Sequence, residues 1–124
     1  MSDRRALSTL KEKRNDKVMA KNAQHKILAL EGEIDLHLSP GVAQELQVLV
    51  KQQPPKLIVD LTKVSYMDSS GLAVLLEGMQ SVASYRGKFC LIGVGDPLRT
   101  VFESSRLDQV FRIYPDVDAA LAAN

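Results

Sequence analysis

The chain has 124 residues, of which 45% are hydrophobic and 25% are charged, and its formal net charge at pH 7 is +1. This length predicts a single domain that buries well over half of the surface exposed by the unfolded chain. No apolar run approaches the roughly 18 residues that a membrane span requires, so we expect no membrane association. A single cysteine, Cys90, excludes an intrachain disulfide, and the N-terminus lacks the apolar core of an export signal. Together these features predict a cytoplasmic protein.

Positive charge is concentrated near the N-terminus. Residues 1–26 carry eight Lys or Arg and three acids, whereas the remaining residues carry eight bases and twelve acids. No aromatic residue is interleaved with these bases to stack on nucleotides. We therefore predict a basic, flexible N-terminal extension over residues 1–15, a domain over residues 16–124, and no direct binding of nucleic acid. A salt-sensitive contact with nucleic acid is the alternative.

Short apolar runs and a helix-start signal predict the first secondary-structure elements of the chain. Val18–Ala20 and Lys26–Leu30 predict an N-terminal antiparallel hairpin. Ser39 at the cap and Pro40 at the first helical position predict the start of a helix. The apolar stripe of this helix consists of Val42, Leu46, Leu49 and Val50.

The middle of the chain changes from a strand pattern to a helical one. Leu57–Leu61 is short, apolar and rich in branched side chains, which is typical of a buried strand. Apolar residues then recur at helical spacing from Leu72 to Val82, and they predict a helix from about Ser70 to Tyr85 that ends before Gly87. A strand is predicted next, over Lys88–Gly93.

The last third repeats this alternation. Asp96-Pro97 predicts the cap and start of a short helix, Val110–Tyr114 predicts a strand, and Pro115-Asp116 predicts a closing helix that runs through Leu121. Alternating strands and helices indicate parallel pairing through crossovers. The predicted fold class is therefore α/β, with a mixed, mostly parallel sheet and about four helices packed on it.

The residue sets that small enzymes need for catalysis are incomplete in this chain. His25 and His37 fall in the predicted hairpin and in an early loop, and with one cysteine they supply no recognised spacing of metal ligands. Gly93–Gly95 lacks the third glycine of a dinucleotide loop and the lysine of a P-loop. We predict no catalytic residue, no metal and no cofactor, with Cys90 as a core residue. A small enzyme or nucleotide-binding protein that uses Ser69 with the Gly93–Gly95 turn is the alternative.

The junction between the central strand and the following helix is the candidate functional segment. Asp68, Ser69 or Ser70 is predicted to cap the helix, and their side chains are expected to be exposed beside backbone N–H groups that lack partners. Such a helix start favours an anion. A capping cluster without further function is the alternative.

The order of residues at this junction resembles a known signature. The run Tyr66–Leu72 resembles that of anti-sigma factor antagonists, the single-domain STAS proteins of bacterial partner switching, and Leu30–Asp35 resembles the Gly-Glu-Leu-Asp stretch of the same family. The resemblance covers the chain from about Asp16 to the C-terminus and implies the STAS fold, with Ser69 as the phosphoacceptor. It also implies that Asp68, Ser70 and Gly71 shape the phosphoacceptor loop and that Gly32, Glu33 and Asp35 lie on a partner-contact surface.

The resemblance implies a regulatory binding function without catalysis. The unphosphorylated protein would bind an anti-sigma factor that is also a GHKL-type serine/threonine kinase, which would free a sigma factor for transcription. Phosphorylation of Ser69 would release the complex, and a PP2C-type phosphatase would reverse it. The alternative within the family is a STAS scaffold subunit of a stressosome-like or transporter-associated complex, without an essential phosphoswitch.

Overall fold

The computed structural model describes residues 25–123. Within this range strands and helices alternate. The elements are β1 (His25–Ile34), α1 (Ser39–Val50), β2 (Lys56–Met67), α2 (Ser69–Ser84), β3 (Lys88–Ile92), α3 (Asp96–Ser104), a 3-10 turn (Leu107–Gln109), β4 (Arg112–Tyr114) and α4 (Val117–Ala122).

The described strands form one parallel sheet in the order β1-β2-β3-β4. Each strand is added on the same side of the one before it, so right-handed crossovers place α1, α2 and α3 on one face of the sheet. This architecture confirms the predicted α/β class and its parallel pairing. The antiparallel partner predicted at Val18–Ala20 lies outside the described residues, and every strand pair within them is parallel.

Two apolar clusters cover the two faces of the sheet. The larger one joins the strands to α1, α2 and α3, with Leu46, Leu75 and Phe102 almost fully buried. The smaller one packs Ala120 of α4 against Ile58, Cys90 and Ile92. Cys90 is 1% exposed, and burial raises the pKa of its thiol, which confirms the prediction of a core cysteine.

The first two strands extend beyond the rest of the sheet. Pairing of β2 with β3 ends at Asp60, whereas pairing of β2 with β1 continues to Met67. Two shifts of register interrupt this longer ladder, one between Ala29 and Glu31 and one between Gly32 and Glu33. Such irregularities bend and twist a strand pair. A two-stranded ribbon of β1 and β2 therefore projects past the end of β3.

The helix starts correct two of the predicted caps. Helix α1 begins at Ser39 itself, and the cap position is occupied by Leu38, whose side chain makes no capping hydrogen bond. The cap of α3 is Gly95 rather than Asp96. In both helices a proline in the first turn fixes the backbone without needing an N–H partner, so a capping side chain is not required there.

Two element ends also differ from the predictions. Helix α2 ends at Ser84, and Arg86, not the expected glycine, adopts the left-handed conformation with φ +69°. Strand β4 begins at Arg112 rather than Val110, because the N–H groups of Val110 and Phe111 both donate to the carbonyl of Leu107. Within residues 25–123, no helix is long and apolar enough to cross a bilayer.

Candidate functional site

The candidate site lies at the carboxyl end of the β1–β2 ribbon. Ile34 and Met67 are register partners at its tip, and the Asp68 N–H donates to the Ile34 carbonyl at 3.2 Å. Helix α2 begins immediately afterwards, at Ser69. The two segments singled out in the sequence, 30–35 and 66–72, are therefore brought side by side.

Asp68 is the N-cap of α2. One of its carboxylate oxygens, Oδ1, accepts hydrogen bonds from the Ser70 N–H at 2.9 Å, from the Ser70 hydroxyl at 2.6 Å and from the Gly71 N–H at 3.3 Å. These bonds favour the charged carboxylate and hold the pKa of Asp68 below its ordinary value, although partial desolvation acts in the opposite direction. The Ser70 hydroxyl has the largest effect, followed by the N–H groups of Gly71, Ser70 and Leu36. Asp68 is thus a fixed negative charge beside Ser69.

The two adjacent serines, of which the resemblance selects Ser69 as the phosphoacceptor, differ in their surroundings. Ser69 is exposed at the first position of α2, and within residues 25–123 its hydroxyl makes no hydrogen bond. Ser70 is half-buried, and its hydroxyl is held by Asp68. A hydroxyl without a competing partner is available for modification, whereas modification of Ser70 would break the cap.

The expectation of unpaired N–H groups at this helix start is wrong for Ser70 and Gly71. Both donate to the Asp68 carboxylate, and the Leu72 N–H donates to the Asp68 carbonyl at 3.1 Å. The cap has satisfied the groups that would otherwise attract an anion. A phosphate on Ser69 would project towards solvent beside a carboxylate, rather than settle onto free backbone donors.

Gly71 fixes the distance between α2 and the ribbon. A Cβ at this buried position would lie 2.5 Å from Met67 Cγ, 3.0 Å from the Ile34 carbonyl oxygen and 3.1 Å from Ile34 Cγ2. The first turn of α2 therefore approaches both strands as closely as the backbone allows. This contact holds Ser69 at the tip of the ribbon.

The three residues assigned to a partner surface lie beside this loop. Gly32 has φ +88°, which a residue with a Cβ adopts only under strain, and it is exposed together with Glu33. The Asp35 carboxylate accepts from the N–H groups of His37 at 3.0 Å and Leu38 at 3.2 Å. Asp35 therefore shapes the turn that follows β1, in addition to placing negative charge there.

Three exposed apolar side chains surround the same tip, and the sequence analysis did not select them. Leu36 is 72% exposed, and Leu38 and Tyr66 are each 48% exposed. Leu36 and Leu38 stand on the turn shaped by Asp35, and Tyr66 pairs with Glu33 across the ribbon. The signal in the sequence was the pair Leu36 and Leu38, which lies between Asp35 and the start of α1. Turns at such positions are usually polar. We call Leu36, Leu38 and Tyr66 the apolar rim.

The described residues around Ser69 contain no catalytic constellation. No histidine or carboxylate forms a hydrogen bond with its hydroxyl, and His37 lies in the turn after β1 while His25 begins the opposite end of β1. Gly93, with φ +70°, packs against Thr62 of β2. Residues 25–123 also hold no group of three or more potential metal ligands.

Comparison with known proteins agrees with this geometry. A family model of the STAS domain matches residues 16–120. The chain belongs to the STAS domain family. This STAS protein is 32% identical to the anti-sigma-B factor antagonist of Listeria monocytogenes, over 77% of this chain and 84% of that protein.

Solved structures place the fold in the same group. The crystal structure of an anti-sigma factor antagonist from Mycobacterium paratuberculosis is 30% identical, with a TM-score of 0.72, and the match covers 79% of this chain and 83% of that one. SpoIIAA of Bacillus in its phosphorylated form shares the fold, with 23% identity, a TM-score of 0.61, and coverage of 79% and 89%. The predicted STAS fold and the resemblance to anti-sigma factor antagonists are confirmed.

Proposed function

We propose that this STAS protein is a partner-switching regulator that binds an anti-sigma factor through the Ser69 tip and is released when Ser69 is phosphorylated. The observation that carries the proposal is the free, exposed hydroxyl of Ser69 beside a capped helix start and an apolar rim. The names of the relatives from Listeria and Mycobacterium, which describe antagonists of anti-sigma factors, support the choice of partner.

The apolar rim supplies the docking energy in this proposal. Leu36, Leu38 and Tyr66 are exposed, so burying them against a partner gains hydrophobic free energy without unfolding anything. Glu33, Asp35 and Asp68 place negative charge around the rim, so a phosphate on Ser69 would add to the like-charge repulsion toward an acidic partner face. Gly32 keeps the ribbon in the bent form that presents these side chains.

Phosphorylation then acts by charge. A phosphate adds about −1.5 to −2 charges at a point where Asp68 is already ionised. Leaving such a charge unmatched in a desolvated contact costs about 2 to 5 kcal/mol, and each 1.4 kcal/mol is about a tenfold loss of affinity. Because the neighbouring N–H groups are already bound by Asp68, the loop has little with which to neutralise the phosphate itself.

The chemistry of the partners is what the resemblance to anti-sigma factor antagonists implies. The anti-sigma factor would be a GHKL-type serine/threonine kinase that supplies ATP and magnesium, and a PP2C-type phosphatase would remove the phosphate. This chain would contribute no catalytic residue. Binding of the kinase by the unphosphorylated form would release a sigma factor and so regulate transcription in the cytoplasm.

The test is incubation of the protein with ATP, magnesium and the GHKL-type serine kinases of its source genome, followed by intact mass and phosphopeptide mapping. We expect one phosphate on Ser69 and loss of kinase binding in the phosphorylated form. Ser70→Ala serves as the matched control and should still be phosphorylated. Stoichiometric phosphorylation of Ser69→Ala would overturn the assignment.

A scaffold role in a larger STAS assembly is the second candidate. It predicts that the isolated protein forms large oligomers on size-exclusion chromatography and that no kinase modifies Ser69. A monomeric or dimeric protein that is phosphorylated on Ser69 would exclude it. The predicted basic extension over residues 1–15, which lies outside the described residues, is retained in both experiments.

A further inference from the structure

A second charged surface lies at the opposite end of the sheet from Ser69. An open cavity of about 360 Å³ is lined there by His25, Pro55, Lys56, Arg86, Lys88, Leu121 and Ala123. His25, Lys56 and Lys88 are register partners at the amino ends of β1, β2 and β3. Side chains of register partners project from the same face of a parallel sheet. Three basic side chains therefore form one row along the edge of the cavity.

Among residues 25–123, no acid lines this cavity. Arg86 and Lys88 are exposed, and neither side chain has a hydrogen-bond or ion-pair partner within residues 25–123. Burial raises the pKa of Cys90, and the positive charges of Lys56, Arg112 and Lys88 act against that rise. Positive charge in a concave surface attracts anions.

Lys56 is held in place by the end of α4. Its Nζ donates to the carbonyl oxygens of Ala120 at 2.6 Å and Ala123 at 2.8 Å. An ammonium group has three donors, so one remains for a ligand. The two carbonyls fix the position of the ammonium group, which reduces the conformational entropy that a free lysine would lose on binding.

Arg86 occupies an unusual backbone position for its type. Its φ of +69° is the left-handed conformation that follows a helix, where glycine is the usual residue. The Gly87 N–H closes the turn on the Val82 carbonyl at 2.9 Å. A residue with a Cβ is strained here, and strained residues cluster at functional sites. Arg86 is one of the residues that line the cavity.

We propose that this cavity is a binding site for a small organic phosphate, with Arg86, Lys88 and the third donor of Lys56 contacting the phosphate oxygens. Arginine and lysine are the side chains best suited to phosphate. The cavity volume is in the lower range of small-molecule sites. It is larger than the volume that an inorganic phosphate needs. Pro55, Leu121 and Ala123 supply the apolar wall for the organic part.

The test is titration of the ¹⁵N-labelled full chain with phenyl phosphate, followed by amide chemical shifts. We expect saturable shifts at Lys56, Arg86 and Lys88, with no comparable response to benzyl alcohol or to sodium sulfate at matched ionic strength. Arg86→Gly and Lys88→Gln should each weaken binding about tenfold. Arg86→Gly also relieves the strained φ, so weaker binding by a protein of undiminished thermal stability would separate a ligand contact from a structural role.

Lys63→Gln is the charge-matched control because Lys63 is an exposed lysine on the projecting part of β2, towards Ser69. It should bind phenyl phosphate as the parent chain does. Equal weakening by all three substitutions, shifts reproduced by sulfate, or no saturable shifts would overturn the site.

Sedimentation with vesicles distinguishes a lipid headgroup from a soluble organic phosphate as the ligand. Binding to phosphatidylglycerol but not phosphatidylcholine vesicles, lost in the Arg86→Gly/Lys88→Gln double variant, would assign the phosphate to a lipid headgroup. Binding of phenyl phosphate without vesicle binding would assign it to a soluble organic phosphate. Vesicle binding that survives in the double variant would overturn the lipid assignment.

Discussion

The two ends of the parallel sheet present opposite chemistry. At the carboxyl end, Asp35 and Asp68 lie beside the apolar rim and the free hydroxyl of Ser69. At the amino end, Lys56, Arg86 and Lys88 line an open cavity to which the described residues contribute no acid. In the two proposals, the carboxyl end binds a protein surface that a phosphate on Ser69 repels, and the amino end binds a small organic phosphate. We expect the two surfaces to respond separately to substitution.

The largest expected effect concerns charge at the carboxyl end. Ser69→Glu should weaken binding to the anti-sigma factor by at least about thirtyfold, because it leaves an unmatched charge in the contact. Ser69→Ala should bind as the parent chain does. Isothermal titration calorimetry measures both. Equal affinities of the two variants would remove Ser69 from the interface.

The packing of α2 on the ribbon gives the next largest effect. Gly71→Ala should lower the free energy of unfolding by about 1–3 kcal/mol, because the added methyl overlaps Met67 and Ile34. Gly41→Ala is the matched control, since no atom lies within 4 Å of its Cβ position and alanine favours a helix by about 0.5–1 kcal/mol. Urea unfolding should show opposite signs for the two variants. A change of the same sign in the free energy of unfolding of both variants would contradict the close approach at Gly71.

The apolar rim should affect binding but not folding. Leu36→Ala removes a side chain that is 72% exposed, so the melting temperature should change little while affinity for the anti-sigma factor falls about tenfold. Val48→Ala removes a side chain on α1 that is 61% exposed, and it should leave affinity unchanged. Equal effects on affinity would show that the rim is not the docking surface.

The amino end depends on α4, which delivers two carbonyls to Lys56. The Asp116 carboxylate caps this helix by accepting from the Ala119 N–H at 2.9 Å. Asp116→Ala should cost about 1 kcal/mol of stability and increase amide hydrogen exchange in α4 alone. Exchange that rises equally at the Ser69 loop would show that the two ends are not independent.

The smallest effect is a pH dependence at the carboxyl end. The pKa of Asp68 is lowered in the folded state, chiefly by the Ser70 hydroxyl. Its contribution to stability is therefore present above about pH 3.9, the value expected in the unfolded chain, and is lost as the pH falls through the lower folded value. Asp68→Asn keeps a capping oxygen but does not titrate. The acid limb of its stability curve should be shallower than that of the parent chain.

Sequence patterns predicted the order of elements and located the Ser69 loop, because periodicity and the Asp-Ser-Ser-Gly run are local signals. They misplaced the caps of α1 and α3, since a proline in the first turn replaced the expected cap. The resemblance selected Ser69 as the phosphoacceptor, but it did not predict which serine hydroxyl bonds to Asp68. The turn geometry brings the Ser70 hydroxyl to Asp68 Oδ1.

The sequence by itself determined an α/β domain with one buried cysteine and a serine pair at a strand-to-helix junction, because hydrophobic period and residue order are properties of short segments. The tertiary structure alone decided what lies beside these segments. The register of β1 with β2 placed Asp35, Leu36 and Tyr66 around Ser69. The register of three strand starts gathered His25, Lys56 and Lys88 into one row. Residues about 30 positions apart in the chain meet only through strand pairing, which no local pattern specifies.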